Sequence, residues 1–136
     1  MPLINTPGST RFGVAFNTSA ATANQVAATL NLATPEDATT TVQAVISSIA
    51  TDNGDEGESY GIVGTFLNDG GTVAQVGSTT ALWTHETVGG RSVDFNLSTS
   101  TLQIRVSPSD ATPLTWMVSC DVWICQQWID NMGFVE

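Results

Sequence analysis

Residues 113–128, PLTWMVSCDVWICQQW, alternate with a period of two residues. The positions of one parity are apolar without a break: Leu114, Trp116, Val118, Cys120, Val122 and Ile124. A period of two is typical of a β-strand, whereas a helix would repeat every 3.6 residues. At about 3.3 Å per residue such a strand would cross a small domain, so we expect the central strand of a β-sandwich.

The opposite parity of this strand mixes polar and apolar side chains: Thr115, Met117, Ser119, Asp121, Trp123 and Cys125. A face that carries a tryptophan and a methionine is too apolar to be simply hydrated. We therefore expect this outer face to be covered by another surface.

Shorter alternating segments occur along the rest of the chain, and turn residues such as 68-NDGG-71 separate them. Seven to nine short strands at spacings of roughly ten residues favour an all-β fold, an antiparallel β-sandwich or jelly-roll-like single domain. The segments 12–16 and 26–32 are expected to form a hairpin with each other. Thr34-Pro35 resembles a helix start, but the β-branched residues 39–42 limit it to at most one turn before a strand.

The length of 136 residues fits one domain. Residues 1–10 contain two prolines and no periodicity, which predicts an extended arm held by a partner. Residues 11–128 are expected to form the sandwich, and residues 129–136 a short tail.

The charge balance excludes several partners. The chain has thirteen acidic residues, three arginines and no lysine, which gives a formal charge of −10. Phosphate binding needs clustered cations, so we expect no direct contact with nucleic acid. No stretch approaches the roughly 18 apolar residues of a membrane span, and the N-terminus lacks a basic region followed by an apolar run, so neither a membrane nor a secretory route is expected.

Cys120 and Cys125 lie five residues apart on the predicted strand and therefore point to opposite faces. They cannot bridge each other there. Free thiols suit a protein made in a reducing cytosol, with an intermolecular disulfide through Cys125 as the alternative.

Residues that could carry catalysis are scarce. His85 is the single histidine, and its neighbours Thr84 and Glu86 point to the opposite face, so no acid-base dyad forms locally. One histidine and two opposed cysteines do not make a zinc site, no phosphate loop or nucleophile elbow is present, and no spacing singles out a carboxylate pair. The sequence predicts a protein that is not an enzyme and has no cofactor or metal.

Residues 52–58, DNGDEGE, form the densest run of charge. Several carboxylates in a loop are the ligands that calcium prefers. Asn-Gly is also a preferred tight-turn pair, and the ligand order of an EF-hand is missing. We favour a hydrated hairpin tip over a calcium loop.

Tryptophans outside the core allow two interpretations. Indole rings stack on the faces of sugar rings, and buried interface anchors have the same composition. We favour a partner interface, for which the candidate residues are Met117, Trp123, Trp128 and Phe134.

The run from Tyr60 to Ser78, YGIVGTFLNDGGTVAQVGS, followed by 93-VDFNL-97, 102-LQIRVS-107 and 114-LTW-116, resembles a β-sandwich domain of structural proteins from tailed-bacteriophage virions. The resemblance covers roughly residues 40–126. It departs at Ser107-Pro108, where a Thr-Gly turn is usual. It implies a virion component such as a capsid decoration protein, a head fibre or a tail module, and it carries over no catalytic residue.

We therefore predict a capsid decoration (cement) protein that is made in the host cytoplasm and binds the major capsid protein as a homo-oligomer on the outside of the shell. The negative charge suits docking on a more basic shell surface. The alternative is a receptor- or carbohydrate-binding module of a tail or head fibre, which would leave an aromatic cleft open to solvent.

Overall fold

The computed structural model describes residues 9–19, 24–52 and 54–127. These ranges contain eight β-strands: β1 (Ser9–Thr18), β2 (Gln25–Asn31), β3 (Ala38–Ala50), β4 (Gly57–Asp69), β5 (Thr72–Glu86), β6 (Ser92–Ser98), β7 (Thr101–Ser107) and β8 (Leu114–Gln126). They form a five-stranded sheet in the order β1-β8-β3-β4-β5 and a three-stranded sheet in the order β2-β7-β6. All neighbouring strands are antiparallel, so the predicted all-β sandwich is confirmed.

Strand β8 lies inside the five-stranded sheet, between β1 and β3. Cys120 pairs with Phe12 on one side and with Ala44 on the other. Five of the six predicted inward residues are buried, and Ile124 is partly buried. Trp116 is 0% exposed. Its indole Nε1 donates a hydrogen bond to Thr18 Oγ1 at 3.0 Å, which satisfies the polar atom that its burial would otherwise leave without a partner.

The core lies between the two sheets. Strand β7 supplies its centre from the three-stranded sheet, and the opposite sheet supplies the inward residues of β3, β4 and β8. Fully buried side chains include Val42, Ile46, Phe66, Leu102, Ile104, Val106, Leu114, Trp116 and Val118. This single core is what the alternating sequence pattern requires.

The predicted hairpin between segments 12–16 and 26–32 is wrong. Strand β1 pairs with β8, whereas β2 pairs with β7 in the other sheet. Alternation fixes the face that a strand buries and leaves its partner open. In a sandwich, consecutive strands often cross from one sheet to the other, and the chain does so between β1 and β2.

The stretch before β3 contains no helix. Residues 33–37 form bends that include a cis Thr34–Pro35 peptide bond, and β3 begins at Ala38. The expectation of at most one helical turn is confirmed. Across the three described ranges there is no helix long and apolar enough to cross a membrane.

Strand β5 continues without a break through Gly77. Val63 pairs with Thr80 and Thr65 pairs with Val76, so β5 carries extra residues that bulge out of the ladder. Gly77 lies in this bulge with a φ of 73°, a backbone conformation that glycine adopts without strain.

Both cysteines are free, Cys120 buried and Cys125 exposed, which confirms that they lie on opposite faces of β8. Burial is the main cause that raises the pKa of the Cys120 thiol to about 12. The predicted arm is described only at its end, where β1 starts, and the predicted tail lies outside the described residues.

Candidate functional site

The surface of the five-stranded sheet that points away from β2, β7 and β6 is here called the outer face. It holds most of the exposed large apolar side chains of the described residues: Ile49, Leu67, Val76, Met117 and Trp123. Met117 is 54% exposed and Trp123 is 42% exposed. The structure thus places both residues on the outer face, as the sequence predicted.

The outer face carries few charges. Its acidic and basic residues, counted over the described strands, are Arg11, His85, Asp121, and Asp69 at the end of β4. Of the eleven acidic residues in the described ranges, six lie in loops, as at Glu36 and Asp52. A charge-poor surface with exposed apolar residues is typical of a binding surface.

A groove of about 440 Å³ opens at one edge of this face and is lined by Thr10, Arg11, Asp121 and Trp123. Arg11 on the edge strand β1 lies opposite Asp121 on β8. The guanidinium donates from Nε to Asp121 Oδ1 at 2.6 Å and from Nη2 to Oδ2 at 3.2 Å. The groove volume falls within the range of roughly 300–1,000 Å³ of small-molecule sites.

The ion pair fixes the electrostatics of this groove. The hydrogen bond from Arg11 is the main cause that lowers the pKa of the Asp121 carboxyl, and the same bond raises the pKa of Arg11. Both groups are therefore charged at neutral pH and neutralise each other. Together they offer hydrogen-bond donors and acceptors side by side next to an exposed indole ring, which suits a polyhydroxylated ligand.

Trp83 does not offer its ring to a ligand as Trp123 does. It lies half-buried over Gly61, and its Nε1 donates a hydrogen bond to Ser59 Oγ at 3.0 Å. A Cβ atom at position 61 would lie 2.5 Å from the Trp83 ring, so this contact requires glycine. Trp83 is thus held against the sheet, whereas Trp123 presents its ring to solvent.

The remaining predicted interface residues do not join the groove. Met117 lies six residues from Trp123 on the same strand, which places it about 20 Å away. Trp128 and Phe134 lie outside the described residues. The predicted partners, the major capsid protein and further copies of this chain, stay predictions.

His85 is exposed on the outer face and lies opposite Ser59 in the register. Thr84 and Glu86 point to the other face, as the strand pattern predicted. Over residues 9–19, 24–52 and 54–127, no group of three or more histidine, cysteine, aspartate or glutamate side chains is placed to hold a metal ion.

Strands β3 and β4 pair as a hairpin, as expected, and the acidic run at residues 52–58 extends into the start of β4 at Gly57. Two of its carboxylates are directed at Arg91, which sequence reasoning missed. Arg91 Nη1 donates to both oxygens of Glu58 at 3.0 Å, and Nη2 donates to Glu56 Oε1 at 2.7 Å. The side chains of Arg91 and Glu58 are both 0% exposed. The signal available in the sequence was the presence of a rare cation in an acidic chain.

Further contacts complete this network. Ser48 and Thr87 donate their hydroxyl groups to Glu58, at 2.6 and 3.1 Å, and Arg91 Nε donates to the carbonyl of Pro108 at 3.2 Å. Burial alone would raise the pKa of Glu58, but the hydrogen bonds from Ser48, Arg91 and Thr87 outweigh it and lower the pKa. The network ties two loops to strands β3 and β4, and its polar atoms are satisfied, so we interpret it as structural.

No protein-family model and no curated protein matches this sequence. Similar solved structures are phage tailspike proteins. The tailspike of Acinetobacter baumannii phage AM24 aligns with 85% of this chain at 6% identity and a TM-score of 0.55. Tailspike gp49 of Acinetobacter baumannii bacteriophage Fri1, a capsular polysaccharide depolymerase, aligns with 87% at 12% identity and a TM-score of 0.43. The tailspike of Acinetobacter phage vB_ApiP_P1 aligns with 81% at 16% identity and a TM-score of 0.40.

This chain spans 26% of the AM24 tailspike and 20% of each of the other two. At these identities the likeness is one of fold, and the AM24 comparison carries it. The shared fold is that of a part of a bacteriophage tailspike.

The comparisons also correct the prediction that the protein is not an enzyme. The Fri1 tailspike is described as a depolymerase, which is an enzyme, so the prediction of a non-enzymatic protein is wrong.

Proposed function

We propose that this chain is a carbohydrate-binding module of a bacteriophage tail protein, and that the groove around Trp123 is its sugar site. The observation that carries the proposal is an exposed indole ring beside the Arg11–Asp121 pair in a groove of about 440 Å³. The fold shared with the AM24 tailspike supports a location on the tail.

The chemistry of the groove matches that of a sugar ring. A pyranose has an apolar face of C–H groups, which packs on an indole, and hydroxyl groups at its rim. In this groove the rim would meet Arg11, which donates hydrogen bonds, and Asp121, which accepts them. Because these two side chains already hold each other in position, little conformational entropy is lost when a sugar binds.

A groove lined by four residues holds one or two sugar rings at most, so the affinity of a single module is modest. We expect a Kd on the order of 1 mM, which corresponds to about 4 kcal/mol. Several modules on one virion would bind a repeating polysaccharide far more tightly, because each further contact becomes intramolecular.

The test is binding of the purified chain to an array of bacterial surface polysaccharides. Trp123→Ala is expected to abolish the signal, because it removes the stacking surface. Met117→Ala is the matched control, since it shortens an equally exposed side chain of the same strand about 20 Å away and should bind like the parent. Equal binding by parent and Trp123→Ala would contradict the proposal.

The location is tested separately by labelling phage particles with an antibody against this chain. Label at the tail is expected. Label spread over the head would contradict the tail location and would favour the capsid decoration hypothesis.

A further inference from the structure

The three arginines of this chain all bind its own carboxylates. The sequence contains three arginines and no lysine. Arg11 binds Asp121, Arg91 binds Glu56 and Glu58, and Arg105 binds Asp94 at 2.6 Å through Nη2 and 2.8 Å through Nε.

We infer that the Trp123 groove selects uncharged glycans and rejects acidic ones. This inference rests on the proposed function and specifies the class of sugar that the groove takes. A uronic acid or another anionic sugar needs a cation that can form charge-assisted hydrogen bonds with it. The guanidinium in the groove is Arg11, and its charge is neutralised by the Asp121 carboxylate, to which Nε and Nη2 donate.

The net charge of the chain also disfavours the binding of acidic glycans. The chain carries a formal charge of −10, so an acidic polysaccharide meets a repulsive potential as it approaches. A neutral glycan does not meet this repulsion. Since the outer face itself carries few charges, a neutral polymer finds apolar and hydroxyl-bearing side chains along it.

One substitution should reverse the selectivity. Asp121→Asn keeps the shape of the side chain but removes its charge, which frees Arg11 to bind an acidic sugar beside Trp123. Asp94→Asn is the matched control, because it changes the net charge equally and frees Arg105 on the three-stranded sheet, away from the groove. Both aspartates are partly exposed, so neither substitution buries an unpaired charge.

The experiment measures binding to acidic polysaccharides in two forms, the native polymer and the same polymer after its carboxyl groups have been reduced to primary alcohols. The parent chain is expected to bind the reduced form roughly tenfold more tightly than the native form at low salt. Asp121→Asn should gain affinity for the native form by a similar factor, whereas Asp94→Asn should behave like the parent.

The outcomes separate the two proposals. Equal binding of native and reduced polymers by the parent overturns the selectivity and leaves the proposed sugar site standing. A gain by Asp94→Asn equal to that of Asp121→Asn shows that net charge, and not the groove, sets the preference, which also overturns the inference. Failure of the parent to bind any polysaccharide in either form contradicts the proposed function and this inference with it.

Discussion

Replacing Arg91 by methionine is expected to destabilise the fold more than replacing either of the other arginines. Methionine fills much of the same volume but removes the donors that serve Glu58, Glu56 and the carbonyl of Pro108. Glu58 would keep only two hydroxyl donors and no opposite charge in a fully buried position. Breaking a buried ion pair in this way costs about 3–5 kcal/mol.

This loss is large against the roughly 5–15 kcal/mol by which domains of this size are stable. It is measured by urea unfolding followed through tryptophan fluorescence, with a thermal melt as a second probe in which we expect Tm to fall by roughly 10–20 °C. Arg105→Met is the matched control. It breaks a pair whose side chains are 24% and 43% exposed, which is worth about 0.2–1 kcal/mol. A loss for Arg91→Met no larger than that for Arg105→Met would refute the structural role of the network.

Three further predictions concern the core, the network and the packing of Trp83. Trp116→Ala should cost about 3–5 kcal/mol in urea unfolding, because the ring is fully buried, and a Tm within a degree or two of the parent would contradict the assigned parity of β8. The free energy of unfolding should be constant above about pH 6 and fall at lower pH. The reason is that Glu58 has a lowered pKa in the folded state, so between that value and the pKa of about 4.3 of an unfolded glutamate the unfolded state binds more protons than the folded state. Glu58→Gln should reduce this fall, and a pH profile that the substitution leaves unchanged would argue against the lowered pKa. Gly61→Ala should push the Trp83 ring off the sheet and shift its fluorescence to longer wavelength, and an unchanged spectrum would contradict the packing in the structure.

The faces of the strands were predictable from the sequence because side-chain orientation follows from a period of two. The inward series that includes Trp116, Val118 and Cys120 is buried as expected, and Met117 and Trp123 point outward. Burial is a local property of each strand, since every residue that shares a face meets the same neighbouring sheet.

Strand pairing was not predictable in the same way. The sequence placed segments 12–16 and 26–32 in one hairpin, whereas β1 pairs with β8 about a hundred residues later in the chain. Nothing in an alternating pattern distinguishes one antiparallel partner from another, so loop geometry and the shape of the whole core decide.

The candidate groove was predictable only in part for the same reason. Trp123 stood out as an exposed aromatic residue, but its neighbour Arg11 comes from β1, and the pair Arg11–Asp121 joins residues 110 positions apart. The network around Arg91 likewise joins two loops with β3 and β4, and the contacts of Arg91 with Pro108 and Glu58 span separations that no local motif records. Sequence reasoning saw in the acidic run a hairpin tip or a calcium loop, because the buried arginine that two of its carboxylates bind lies more than thirty residues away.

The most direct test of the proposed sugar site follows the indole N–H signals of the four tryptophans by two-dimensional NMR while a polysaccharide that binds on the array is added. The signal of Trp123, assigned by its loss in Trp123→Ala, is expected to shift progressively as ligand is added. The signals of Trp116 and Trp83 should stay in place, because their N–H groups are bonded to Thr18 and Ser59. A shift confined to the Trp83 signal, or a Trp123 signal that does not move while the polysaccharide binds, would contradict the proposed sugar site.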